Sequence, residues 1–173
     1  MLNKKMQEAL NSQINAELYS AYMYLAMAAD LEEKNLPGAA NWMRMQFKEE
    51  LIHAEKFFDY VAGRRGRVTL EAIEKPPKTW KSILDIFEAA YKHEVYVSGR
   101  INDLVEISRK EKDNATYNML QWFVAEQVEE ESSVDEIIQK LKLVGDHGQG
   151  IFMIDRELAT RVFTPPVTAA AGE

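Results

Sequence analysis

The chain has 173 residues, 46% hydrophobic and 28% charged, which is the composition of one globular domain rather than a disordered segment. A net charge of -7 argues against nucleic acid as the main partner, because a phosphate-binding surface needs a basic excess. The lack of cysteine excludes disulfides, thiolate metal sites, iron-sulfur clusters and cysteine nucleophiles, and no stretch approaches the roughly 18 apolar residues that span a membrane.

The N-terminus, Met1-Leu2-Asn3-Lys4-Lys5, enters a helical pattern without a signal-like apolar core, so a cytoplasmic location is expected. Steps of four and three residues then give Leu10, Ile14, Glu17, Ala21, Tyr24, Ala28 and Leu31, the seam of a bundled helix with a carboxylate inside it. Leu36-Pro37-Gly38 breaks this helix from the next, whose stripe is Ala39, Met43, Gln46, Glu50, His53, Phe57 and Tyr60, so Glu50 and His53 share an inward face one turn apart. The second helix is expected to run to about Gly63. The basic cluster Arg64, Arg65 and Arg67 beside Gly66 reads as its end and turn.

The third helix is expected after Trp80, which leaves a link from Arg65 to Lys81. Extended, a link of about 17 residues reaches about 56 Å, more than the roughly 42 Å length of a 28-residue helix. It can cross the whole bundle, making the second and third helices parallel, with Leu70 and Ile73 expected to pack as a short strand or staple. Ile83, Phe87, Ala90, Glu94, Val97, Ile101 and Leu104 form the third stripe, and Glu111-Lys112-Asp113-Asn114 the next turn, with Asp113 or Asn114 as N-cap. In the fourth stripe, Leu120, Phe123, Gln127, Glu130, Val134, Ile137, Leu141 and Val144, two adjacent positions are polar. After Gly145 to Gly150 a short fifth helix is expected from Ile151 to Phe163, packed outside the four-helix core at a subunit contact. The domain would end near residue 164, with 165–173 a flexible tail.

Each stripe therefore carries a Glu near its midpoint, and antiparallel packing would gather all four in one layer. Burying an unpaired carboxylate costs several kcal/mol, against about 5 to 15 kcal/mol for the stability of a whole domain. No Lys or Arg lies on any stripe, and His53 alone cannot balance four negative charges, whereas two divalent cations can. Oxygen ligands with one imidazole suit iron, manganese or zinc. Glu17, Glu50 and His53 would hold one ion, and Glu94 and Glu130 the other, with Glu50 placed to bridge them. Gln127 would serve as a neutral ligand or hydrogen-bond donor, and Tyr24 as a donor to a ligand, an electron source or a packed core residue. His93 and His147 read as surface residues.

The chain resembles prokaryotic non-haem ferritins over nearly its whole length. The resemblance rests on Ala9-Leu10-Asn11, Glu17 to Tyr22, Asn41-Trp42-Met43, Glu49 to Ala54, Gly66-Arg67-Val68, Glu111-Lys112-Asp113 and, most specifically, Trp122 to Glu131. It implies an all-α, ferritin-like four-helix bundle with one long crossover and a short C-terminal helix. It further implies a di-iron ferroxidase centre, with Glu17, Glu50 and His53 on one iron and Glu50, Glu94 and Glu130 on the other, and Gln127 and Tyr24 beside them. A third iron site would fall on Glu49, Glu126 and Glu129, shared with Glu130.

A homo-oligomeric shell, usually of 24 subunits, would oxidise Fe(II) with dioxygen or peroxide and store Fe(III) as a mineral. The second Glu-x-x-His of bacterioferritins is replaced here by Gln127 and Glu130, and their haem-ligating Met by Leu51, so no haem is expected. Rubrerythrins need cysteine-bound iron, and the mini-ferritins build their metal site between subunits, which leaves both less similar. Peroxide detoxification with little storage, or a bundle that binds metal only to stabilise its fold, are the alternative functions.

Overall fold

In the computed structural model, which describes residues 2–164, the chain is five helices: α1 (Lys4–Glu33), α2 (Pro37–Gly63), α3 (Ile83–Lys110), α4 (Asn114–Val144) and α5 (Gly148–Leu158). The tail expected at 165–173 lies outside the described residues. Among the described residues no helix is long and apolar enough to cross a membrane.

Local chemistry sets the ends of the helices. Asn3, Ser82 and Asp113 are N-caps whose side chains accept from the backbone N–H groups of Met6, Asp85 and Thr116. The first three helices close with the same device. Asn35, Arg65 and Lys112 take positive φ, and the N–H groups of Leu36, Gly66 and Asp113 then donate back to Leu31, Val61 and Ser108. The left-handed residue after α2 is thus Arg65, although Gly63 and Gly66 flank it.

The stripes point inward as expected, apart from Tyr60 and Val144, which lie at the ends of their helices and are only half-buried. A polar layer divides the core into two apolar clusters. One joins Met27 and Leu31 of α1, Trp42 and Met43 of α2, Ile86 and Phe87 of α3, and Ile138 and Leu141 of α4. The other joins Met6 and Leu10, Phe57 and Val61, Ile101 and Leu104, and Leu120 and Phe123. The N-terminal halves of α2 and α3 share one cluster and their C-terminal halves the other, so these two helices are parallel and the link between them traverses the bundle.

The crossover is tied to α1 at both ends. Gln7 accepts from the Arg67 N–H at 2.9 Å, Asn11 pairs with the Arg67 carbonyl and the Thr69 N–H, and Asp30 accepts from the Trp80 N–H at 3.2 Å. Leu70 and Ile73 are exposed and form neither strand nor staple. The link lies along a helix rather than beside a second extended segment, so no ladder is available to it.

The bounds of the fifth helix also depart from expectation. It starts at Gly148, because Gly145 at φ 56° ends α4 and the His147 carbonyl accepts the first helical bond from Ile151. It ends at Leu158 rather than Phe163, and Ile154 and Leu158 are buried in the first apolar cluster, so its inner face packs on its own chain. Asp155 supplies the cap that α2 lacks, its Oδ1 accepting from the Ala39 N–H at 2.8 Å. This docking needs Gly38, since a Cβ there would sit 1.7 Å from the Asp155 carbonyl oxygen. Gly38→Ala should push α5 off the bundle and lower stability by about 1–3 kcal/mol, read as a fall in the thermal midpoint of the metal-free protein.

Candidate metal centre

The layer between the two clusters contains Glu17, Gln46, Glu50, His53, Glu94, Gln127 and Glu130, all buried, with Gln13 one turn before Glu17. Each of the stripe residues among them is buried, as its place on the stripe implies. Glu17, Glu50 and His53 bring ligand atoms within 4.8 Å of one another, the trio expected around one ion. The second grouping of this kind is His53, Glu126 and Glu130, which joins a main-site carboxylate to one expected at the third site.

Glu94 lies in neither group, and its oxygens have other partners. The Tyr24 hydroxyl donates to Oε1, and the Gln127 amide donates to Oε2 at 3.2 Å. Tyr24 is thus both a packed core residue and a direct partner of the acidic layer. Glu130 accepts from Gln46 Nε2 at 2.6 Å, and Glu17 accepts from Gln13 Nε2 at 2.9 Å. Arg100 donates to Gln13 Oε1 at 2.9 Å, which turns the amide so that its NH2 faces Glu17. Sequence reading missed the roles of Gln13 and Gln46: Gln13 lies four residues before its partner Glu17, a spacing that stacks side chains on one helix face, whereas the partner of Gln46 is on another helix.

The charges in the layer are largely uncompensated. Among the described residues no Lys or Arg ion pair reaches Glu17, Glu50, Glu94 or Glu130, and His53 Nδ1 lies 3.4 Å from Glu50 Oε2, too far for a good hydrogen bond. Glu17 Oε2 and Glu50 Oε2 are buried without hydrogen-bond partners among the described residues. Burial, reinforced by the charges of Glu94, Glu17 and Glu130, pushes the Glu50 carboxyl well above its ordinary range. Burial raises Glu94 to about 7 against the pull of Tyr24 and Gln127, and burial with the nearby Glu94 charge raises Glu130 to about 8. Burial likewise raises the Tyr24 phenol, with the Glu94 charge adding to it. Orphaned, mutually repelling carboxylate oxygens beside an imidazole are the donor set that oxygen-preferring divalent cations take, so these residues fit a metal.

On the flank, Glu126 is half-buried and Glu129 is exposed. Glu49 is paired with Arg161, whose Nη2 lies 2.6 Å from Oε2, and sequence reading gave no hint of this partner. His147 is exposed, as expected. His93 is half-buried, contrary to expectation: it shares a 2.7 Å hydrogen bond with Ser20 Oγ, packs on Tyr19 and Tyr96, and burial lowers its pKa to about 4. It is one residue off the stripe, which puts it on the shoulder of the helix, where Tyr19 and Tyr96 shield it.

Comparison with known proteins agrees with this geometry. Residues 7–144 match the ferritin-like domain family. The chain is 40% identical to the bacterial non-heme ferritin of Campylobacter jejuni over 90% of its own length and 93% of the relative, and 41% identical to that of Bacteroides fragilis over 93% and 100%. Among solved structures, an open pore ferritin from the hyperthermophilic archaeon Archaeoglobus fulgidus is 54% identical, with a TM-score of 0.93 over 94% of this chain and 100% of that one.

Proposed function

Since the chain belongs to the ferritin family, we propose that it stores iron as a ferroxidase, oxidising Fe(II) in the acidic layer and passing Fe(III) to a mineral inside a homo-oligomeric shell, expected to have 24 subunits. The observation that carries this reading is the layer itself: four buried Glu residues from four helices, one His and no basic partner. In a storage protein iron is the substrate, and the layer is its place of oxidation.

Glu17, Glu50 and His53 would receive one Fe(II), and Glu50, Glu94 and Glu130 the second, with Glu50 shared. Two ferrous ions held this closely can each give one electron to a single dioxygen or peroxide, and the carboxylates favour the ferric product. Gln13, fixed by Arg100, holds one oxygen of Glu17 and leaves the other free to ligate. Tyr24 and Gln127 restrain Glu94 without charge, each donating to one of its two oxygens, so a ligating Glu94 would share an oxygen with a donor or exchange one for the ion. Glu49, Glu126 and Glu129, with Glu130, would hold a third iron on the flank of the bundle.

The test is stopped-flow absorbance with parallel oxygen consumption after adding about two Fe(II) per subunit to metal-free protein, followed by an iron count after aerobic loading. The expected result is rapid, saturable oxidation at that ratio and retention of iron far beyond three ions per subunit. Fast oxidation with little retained iron would assign peroxide removal instead, and oxidation no faster than in buffer would leave the layer a structural metal site.

A further inference from the structure

The C-terminal segment brings a cation against the acidic flank. After α5 the chain turns back onto α2, where Asn41 Nδ2 donates to the carbonyl of Arg161 at 3.0 Å and lies 3.4 Å from those of Leu158 and Ala159. The Arg161 guanidinium lies 4.4 Å from the centre of the Trp42 ring, and its Nη2 donates to Glu49 Oε2 at 2.6 Å. Its Nη1 is buried and has no hydrogen-bond partner among the described residues. The pair is therefore made through one nitrogen rather than the bidentate fork that makes arginine–carboxylate pairs strongest, which leaves it easier to displace.

Resting on the third iron site put forward above, we propose that Arg161 is an intramolecular competitor for that site, a counter-cation that must leave Glu49 before a metal ion can bind there. One positive charge on Glu49 repels an arriving cation and occupies one of the carboxylate oxygens it needs. A divalent ion replaces that single charge with two and bonds directly to Glu49 and Glu126, so it can displace the arginine by mass action. Space for the displaced side chain exists. A pocket of about 250 Å³ beside Arg161 is lined by Trp42, Glu136, Lys140 and Glu157; Lys140 pairs with Glu136 at 2.7 Å and Glu157 at 2.6 Å, and the displaced guanidinium would share these carboxylates with it. The latch therefore sets how readily the third site fills, and leaves the two ions of the main layer untouched.

The test is calorimetric titration of the assembled, metal-free protein with Zn(II), a redox-inert probe, for wild type, R161M, R161Q, R161K and E49Q. Loss of the positive charge in R161M should tighten the third Zn(II) binding event about tenfold with the first two unchanged. R161Q, a second neutral variant that guards against a folding defect in R161M, should do the same. R161K should return close to wild type, and E49Q should lose the third event. A third event equally tight or weaker in both neutral variants overturns the latch, because it means Arg161 is a structural anchor or helps to position Glu49. Two events in every protein, wild type included, would instead remove the third site itself, and with it this inference.

Discussion

Glu50→Gln should reduce Fe(II) oxidation to the rate seen in buffer, a loss of at least about a hundredfold, while its metal-free form melts above wild type. Both effects come from the same oxygens. Glu50 is buried among the charges of Glu94, Glu17 and Glu130, and its Oε2 has no hydrogen-bond partner among the described residues. Gln preserves shape and removes the charge, so the repulsion is relieved and the shared ligand is lost together. Relief of one buried, repelled carboxylate should stabilise the metal-free chain by about 2 kcal/mol, or about 4–8 °C for a domain of this size. Stopped-flow oxidation and calorimetric melting, done on the same preparation, read both. Retention of wild-type oxidation would remove Glu50 from the centre. A lower melting temperature would mean that the carboxylate holds the bundle together rather than straining it.

The metal-free protein should also lose stability as pH rises from 6.5 to 8.5, and divalent metal should reverse the loss. Glu94 and Glu130 titrate near 7 and 8 in the fold against 4.5 for the free side chain, so between those values the folded chain binds protons that the unfolded chain has released. Their protonated forms stabilise the fold fully below about pH 4.5, and that contribution disappears as pH rises through 7 and 8. His93 works in the opposite sense: its pKa is lowered to about 4, so its contribution is complete above about 6.5 and is lost as pH falls towards 4. Measurements above pH 6.5 isolate the carboxylates, where the expected loss is on the order of several kcal/mol.

Metal binds the deprotonated carboxylates, so Zn(II) should raise the melting temperature far more at pH 8 than it would without the layer. Binding near pH 6.5 should release about two protons per subunit, measurable by calorimetry in buffers of different ionisation enthalpy. A melting temperature flat from pH 6.5 to 8.5 would show that water reaches and solvates the layer.

The legible part of the site is the part that helical periodicity reaches. Glu17, Glu50, His53, Glu94, Gln127 and Glu130 each lie on an apolar stripe, and a residue on such a stripe faces the core whatever its polarity. Gln13 was within reach of the same reasoning through its spacing of four from Glu17, whereas the partner of Gln46 is 84 residues away. His93 was not, because one residue off the stripe is half-buried or exposed according to which neighbours cover the shoulder of the helix. The partners that hold Glu94 were also out of reach: Tyr24 is 70 residues away, and which oxygen each donor takes depends on rotamers set by packing.

From sequence alone follow the helix count, the breaks at Pro37 and Asp113, the long crossover and the gathering of four carboxylates in one layer. Each of these follows from local rules: backbone sterics at a turn, 3.6 residues per turn in a helix, and the reach of an extended link. Tertiary structure alone decided that α5 docks on its own chain through Asp155 and Ala39, that the crossover is pinned to α1, and that Arg161 reaches Glu49 from 112 residues away. Those contacts join side chains that no periodicity relates. They exist only once the bundle has fixed the relative positions of its helices, and a few tenths of a nanometre there decide whether a carboxylate meets an arginine, an amide or a metal ion.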